Sequence, residues 1–240
     1  MRVGILSDIH GNLEALESVL IALDPKRIDQ IIVVGDLVGY GPDPVATLYR
    51  LRETDAVCVL GNHDHVLVDL SRSNEINCLA RPTLLDSREM VSDDELDYIR
   101  TFAYRHVEQD GVFSHANPLK PEEWQHLYLL HHVEWCLQDM TWRVAFVGHT
   151  HHTAIYCQME GQVVPLTSSA VAIGRHQYLV NVGSVGQPRD GDNRAAYAIW
   201  DTDSEHVELH RVEYPLHRTQ QKITELGWPD YVAERLARGE

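Results

Sequence analysis

The chain has 240 residues, enough to bury a sizeable core as one domain, and its 44% hydrophobic and 23% charged content sets it apart from disordered and fibrous sequences. Its 36 acidic residues outnumber 20 basic ones for a formal net charge of -16, a balance that opposes non-specific attachment to nucleic acid or to anionic membranes. No run of about 18 apolar residues offers a membrane span.

Arg2–Ser7 is a short apolar run expected to form a strand rather than a secretion signal, since it has no basic leader and no small-residue cleavage site. Leu13, Leu16, Val19, Leu20 and Leu23 then recur with helical spacing until Asp24-Pro25 stops the pattern. Ile31–Val34, dense in β-branched residues, suits a strand buried on both faces. A Gly/Pro-rich loop at 39–44 leads into a helix over Val45–Arg52, and Ala56–Leu60 is a third strand. Strand, helix, strand, helix, strand at this spacing predicts an α/β unit with a parallel sheet. Residues from about 64 to 100 are predicted mainly helical, with Pro82 and Ser92-Asp93-Asp94-Glu95 as start signals. Arg105–Val107 and Val112–Ser114 flank Gln109-Asp110-Gly111, a hairpin signal, before a helix around His131–Met140 and a strand at Val144–Val147. From Ala154 to Val212, short strands joined by turns such as Glu160-Gly161 and Asp203-Ser204 predict antiparallel or mixed pairing. Helices near Leu216–Leu226 and Tyr231–Arg238 close the chain. No repeat or linker intervenes, so residues 1–240 are expected to form one domain with a helical C-terminal extension from about residue 214. Cys58, Cys78, Cys136 and Cys157 include no Cys-x-x-Cys pair, which predicts reduced, buried thiols and a cytoplasmic protein.

Four polar clusters each follow a predicted strand: Asp8-Ile9-His10, Gly35-Asp36, Gly61-Asn62-His63-Asp64 and Gly148-His149-Thr150-His151. His115 follows a fifth strand. In open α/β sheets, ligands bind outside the carboxyl ends of the strands, so these five places are expected to converge. Asp8 and His10, two positions apart, would project to the same side of an extended segment and grip one ion, and His149 and His151 would repeat this from another strand. Asp36 offers a carboxylate whose two oxygens could bridge two ions, and Asn62 a neutral amide oxygen. Nitrogen and oxygen ligands without thiolate indicate two divalent ions of the Mn, Fe, Zn, Co or Ni kind. Such ions make a locally cationic site in an acidic protein, which an anionic substrate requires.

The order Asp-x-His, Gly-Asp, Gly-Asn-His-Asp, His, Gly-His-x-His resembles the calcineurin-like metallophosphoesterase superfamily, with every motif position filled between residues 8 and 151. The β-rich segment that follows, with Asn181-Val182-Gly183-Ser184-Val185-Gly186-Gln187-Pro188-Arg189, is similar to the small prokaryotic phosphodiesterase branch. The resemblance implies a sandwich of two mixed sheets flanked by helices, with a dinuclear metal centre at the strand C-terminal ends. It also implies that Asp8, His10 and His151 hold one ion and Asn62, His115 and His149 the other, with Asp36 between them. His63 would then donate a hydrogen bond or proton near the phosphate. Asp64 would orient His63, unless it serves as a helix cap. The implied reaction is in-line attack on phosphorus by a hydroxide shared between the ions. Arg189 would reach the substrate phosphate, or else pair with a neighbouring acid.

Protein serine/threonine phosphatases of that superfamily extend the second motif to Gly-Asp-x-Val-Asp-Arg-Gly, whereas this chain reads Gly35-Asp36-Leu37-Val38-Gly39-Tyr40-Gly41. The missing arginine favours phosphodiesters over phosphomonoesters, phosphoproteins or dinucleoside polyphosphates. A non-catalytic metal-binding scaffold, the competing class, is disfavoured because His10 and His63 are both retained. Val182-Gly183-Ser184-Val185-Gly186 lacks the first glycine of a nucleophile elbow. The small phosphoester substrate is thus expected to meet a monomer or homodimer, in which Trp124, Trp200 and Trp228 serve core packing rather than an interface.

Overall fold

In the computed structural model, which describes residues 1–240, β1 (Arg2–Leu6), β2 (Gln30–Val34) and β3 (Val57–Val59) run parallel. The helices α1 (Leu13–Leu23) and α2 (Pro44–Arg52) connect them. Residues 62–100 fold into α3 (Asn62–Val68), α4 (Arg81–Met90) and α5 (Asp93–Arg100), with a 3₁₀ stretch at Leu70–Glu75. The start signals act as expected: Pro82 sits in the first turn of α4, and Ser92 caps α5, its main-chain N–H donating to Glu95 at 2.7 Å.

The hairpin β4 (Arg105–Glu108) and β5 (Gly111–Ser114) precedes α6 (Leu130–Asp139) and β6 (Val144–Val147). Six strands follow: β7 (Thr153–Met159), β8 (Gln162–Leu166), β9 (Ala170–Ala172), β10 (Gln177–Val182), β11 (Ala195–Asp201) and β12 (His206–Val212). The helices α7 (Leu216–Glu225) and α8 (Asp230–Arg238) end the chain.

The strands form two mixed six-stranded sheets, ordered β3-β2-β1-β11-β12-β9 and β4-β5-β6-β10-β7-β8. Within the second, β5, β6 and β10 are parallel and the rest antiparallel. Alternation along each central strand splits its side chains between two cores. Ile32 and Val34 of β2 face the second sheet, where they join Phe113, Phe146 and Val180, whereas Val33 faces α1. Each fully buried ring or branched side chain there contributes about 1.5–3 kcal/mol. On the far face of the second sheet, α6 packs Val133 and Leu137 against Ala145 and Leu179. Trp200 belongs to the core between the sheets and Trp228 to a small cluster of α7 and α8, whereas Trp124 is only half-buried. All four cysteines are free, and Cys78 is exposed. No helix is long and apolar enough to cross a membrane.

At one rim the parallel pairing of the central strands continues into the loops of each sheet. Asp8 N–H donates to the Gly35 carbonyl at 3.0 Å and His10 N–H to that of Asp36 at 3.0 Å, prolonging the β1–β2 ladder. Gly148 N–H does the same to His115 at 3.0 Å beyond β5 and β6. The segment after β10 then joins the two rims, with Val185 N–H donating to Ser7, Gly186 N–H to Asp8 and Arg189 N–H to His151.

Candidate metal centre

Every residue expected at the site stands on this rim. Asp8, His10, Asp36, His149 and His151 all have left-handed backbone, with φ of 51°, 50°, 54°, 64° and 60°. Such backbone costs roughly 1–2 kcal/mol at each non-glycine residue, and Asp and His are among those that tolerate it best. The expectation of extended backbone therefore fails for both x-separated pairs, although Asp8 and His10 still share one group. The chain turns at each residue, and His149 and His151 diverge into different groups instead of gripping one ion together.

One group is Asp8, His10 and His151, a second is Asp36, His115 and His149, and a third, His10, Asp36 and His63, lies between them. In the first, His151 Nε2 lies 3.1 Å from Asp8 Oδ1 and 3.2 Å from His10 Nε2. In the second, His115 Nε2 lies 3.1 Å from Asn62 Oδ1 and 3.3 Å from Asp36 Oδ2. Asp36 Oδ2 is also 3.7 Å from His10 Nε2, so a single oxygen faces both groups. Its other oxygen accepts the His63 main-chain N–H at 2.9 Å.

The tautomers follow from the partners. Nδ1 of His10, His115 and His151 lies 3.0, 2.9 and 2.6 Å from the carbonyl oxygens of Val38, Val34 and Gln187. A carbonyl only accepts, so each Nδ1 carries the proton and each Nε2 turns a lone pair inward. Lone pairs thus face carboxylate and amide oxygens in a buried space, an arrangement that repels itself unless a cation lies between them. Asp8 Oδ1 and His149 Nε2 are likewise buried without a hydrogen-bond partner. The donor set fits divalent first-row metals, as oxygen and imidazole nitrogen without thiolate.

The charge pattern agrees. Burial, followed by repulsion from His63, holds His10 well below its ordinary value, so it is neutral at pH 7. Burial also lowers His115, but the Asp36 carboxylate beside it outweighs this and lifts it to about 9. The cluster therefore attracts positive charge at that point, which a metal ion supplies as well as a proton does.

Glycine permits the closeness. A Cβ on Gly61 would stand 2.1 Å from Asp36 Oδ1, and one on Gly148 would stand 1.8 Å from Ser7 Oγ, so no side chain fits at either. Asp8 Oδ2 uses that space to accept from Ser7 Oγ at 2.5 Å and from His149 N–H at 2.9 Å.

Asp64 departs from expectation. Its carboxylate accepts main-chain N–H groups of Leu37, Val38 and Gly61 at 2.9, 3.3 and 3.1 Å, capping α3 and tying it to the loop after β2. It does not orient His63, because both of its oxygens are engaged by the backbone. Burial and Asp36 push Asp64 up to about 7 against the pull of those N–H groups. The His63 ring lies beside the metal cluster, its Nε2 4.0 Å from Asp36 Oδ2, while its buried Nδ1 has no hydrogen-bond partner. Burial lowers His63 to about 4, so it is neutral at pH 7.

Arg189 reaches a cleft of about 490 Å³ over the cluster, lined also by Tyr40, Trp124 and His126. It donates to the Gln187 side-chain oxygen at 2.8 Å and pairs with no acid. Three contributors went unpredicted. Ser184 Oγ donates to the Asp8 carbonyl at 2.7 Å, the Asn181 amide to the Gly148 carbonyl at 2.8 Å, and His126 lies with its ring centroid 3.8 Å from that of His149. Ser184 and Asn181 fall within the 181–189 segment that the sequence marks out; His126 carries no pattern of its own.

A family model, the calcineurin-like phosphoesterase superfamily domain, matches residues 1–205. The crystal structure of a metallophosphoesterase from Sphaerobacter thermophilus superposes with a TM-score of 0.89 at 34% identity, covering 100% of this chain and 99% of that one. An uncharacterized protein of Methanocaldococcus jannaschii is 32% identical over 99% of this chain and 98% of its own. A symmetrical bis(5'-nucleosyl)-tetraphosphatase of Pseudomonas syringae pv. syringae is 34% identical over 58% of this chain, which spans about half (50%) of that relative's length. Fold, motif residues and relatives agree, and the chain belongs to the calcineurin-like phosphoesterase superfamily as a metal-binding phosphoric ester hydrolase.

Proposed function

We propose that this protein cleaves phosphodiesters with two divalent metal ions. Asp8, His10 and His151 hold one ion, Asn62, His115 and His149 the other, and Asp36 Oδ2 stands between them. The observation that carries this reading is the set of inward-facing Nε2 lone pairs on His10, His115 and His151, opposed to Asp8, Asp36 and Asn62. Bound there, the ions lower the pKa of water towards neutrality and neutralise charge on the phosphoryl oxygens. The same donors accommodate manganese, Fe, Zn, Co or Ni.

The side chains around the cluster do the rest. His63, neutral through burial, donates a hydrogen bond to the phosphoryl group as charge builds on it. Arg189 orients the non-bridging oxygens. In the extended motif the arginine would stand where this chain has Tyr40, a buried ring. One guanidinium at the phosphate suits the single charge of a diester better than the double charge of a monoester. Cleavage of a dinucleoside polyphosphate is the second reading, favoured by the similarity to the tetraphosphatases.

The test is hydrolysis of bis-p-nitrophenyl phosphate beside p-nitrophenyl phosphate, after chelation and resupply of Mn²⁺, Ni²⁺, Zn²⁺ or Mg²⁺. Metal-dependent turnover favouring the diester supports the reading. Preference for the monoester would replace it with a phosphatase.

A further inference from the structure

The helices that follow the sheets pack behind the wall of the cleft, where Arg235 of α8 meets the Tyr40 ring. α7 and α8 share an apolar cluster of Ile223, Trp228, Val232 and Leu236, and polar contacts pin them to the metal-bearing loops. Thr219 Oγ1 donates to Asn12 Oδ1 at 3.0 Å, and Lys222 Nζ lies 2.6 Å from Glu14 and 2.7 Å from Asp43. The Tyr231 hydroxyl donates to the Leu79 carbonyl at 2.8 Å. The end of α8 is tied to the loop that carries Arg189: Gly191 N–H donates to Gly239 at 3.1 Å, and the Asn193 amide to the Ala237 carbonyl at 3.1 Å.

These contacts set Arg235 of α8 against the same Tyr40 ring that Arg189 meets. Both guanidinium groups lie against the Tyr40 ring, 5.6 Å and 5.4 Å from its centroid. That same ring packs against His63 at 5.1 Å and His10 at 4.9 Å. Neither arginine has a carboxylate side-chain partner. Arg189 bonds the Gln187 amide oxygen, and Arg235 Nε donates to the main-chain oxygen of Glu240 at 2.7 Å. Eight other arginines of this acidic chain do lie within salt-bridge distance of Asp or Glu. Two half-buried like charges repel each other, and Arg235 is pulled below the usual guanidinium value by burial and then by Arg189. An anion between them would relieve that repulsion.

We propose that Arg235, on the same Tyr40 ring as the Arg189 that serves the scissile phosphate, forms a second anion subsite, so that preferred substrates carry a phosphate or similar anionic group beyond the scissile phosphodiester. The C-terminal helices are then part of the substrate site rather than a buttress. This rests on the phosphodiester reading above and narrows its substrate class.

The matched probes are the p-nitrophenyl ester of thymidine 5'-phosphate and the same ester bearing a 3'-phosphate. The scissile bond is common to both, and only the second anion differs. Metal-loaded wild-type protein is expected to prefer the 3'-phosphorylated ester in kcat/KM. Arg235→Gln is expected to reduce that preference by about tenfold, as loss of a charge-assisted hydrogen bond would, and Arg235→Lys to recover part of it. An unchanged preference in Arg235→Gln would overturn the subsite. No turnover of either ester by the wild type would overturn the phosphodiester reading instead. Calorimetric binding of thymidine 3',5'-bisphosphate against thymidine 5'-phosphate decides the subsite without turnover. The second phosphate should add affinity in the wild type and not in Arg235→Gln, and an equal gain in both sinks the proposal. Should Arg235→Gln not fold, the same comparison is made with Arg235→Lys, expected to keep part of the gain.

Discussion

Around the metal cluster, main-chain N–H groups from loops of both sheets hold three buried carboxylates, and three imidazoles are fixed by carbonyls of neighbouring strands and loops. Along the C-terminal wall, α7 and α8 attach mainly by scattered side-chain contacts, each worth about 1 kcal/mol, with a main-chain bond from Gly191 to Gly239 at the end of α8. The first region lies within the 205 residues matched by the family model, whereas α7 and α8 lie beyond it. Chemistry common to the superfamily sits where the scaffold determines it several times over. The part that distinguishes substrates can sit where helices are free to differ.

Breaking the first region should give the largest effect. Asp36→Ala removes the oxygen facing both groups and the acceptor of the His63 N–H. Turnover of bis-p-nitrophenyl phosphate is expected to fall by at least about 10³-fold, since each ion supplies several kcal/mol. Metal analysis should show fewer ions per chain, and a variant that keeps most of its turnover would exclude this cluster as the centre. His63→Ala should retain the metals and lose about 10²–10⁴ in turnover. If that variant emerges metal-free, His63 is a ligand and its assigned role is wrong. Arg189→Ala acts where the two regions meet, and KM for the same diester should rise about tenfold with metal content unchanged. An unaltered KM would remove Arg189 from the site.

The smallest effect belongs to the wall alone. Trp228→Phe deletes the 2.5 Å hydrogen bond from Nε1 to Asp86 and keeps the apolar ring. The expected cost is about 1 kcal/mol, or roughly 2–4 °C in melting temperature, with kcat on the simple diester unmoved. A drop in kcat would mean that the two regions are more tightly coupled than their separate attachments indicate.

Legibility followed the same division. The strands from β1 to β6 and both closing helices stand where periodicity and the Pro and Gly punctuation put them, to within a residue or two. Burial on two faces writes itself as apolar runs, and caps as Ser92 and Glu95 do. The site residues were legible as types and positions: Asp8, His10, Asp36, Asn62, His115, His149 and His151 do converge. Their partition was not deducible from spacing, because alternation holds only for extended backbone and these residues are left-handed. Asp64 was open to two roles, since a carboxylate three positions into a helix reads alike as a cap or as a partner for its neighbour.

By itself, the sequence determined the layered α/β plan and the set of polar residues at the strand ends, because both follow from local period and from motifs confined to a few residues. Only the tertiary structure decided that one Asp36 oxygen faces both groups, that Ser184 and Asn181 brace them, and that Arg235 meets the same Tyr40 ring as Arg189. These depend on contacts between segments 26 to 176 residues apart, from His10 with Asp36 to Asp8 with Ser184, and on how α8 is tied to the 189–193 loop. Side chains with no periodicity carry no trace of such partners until packing brings the segments together.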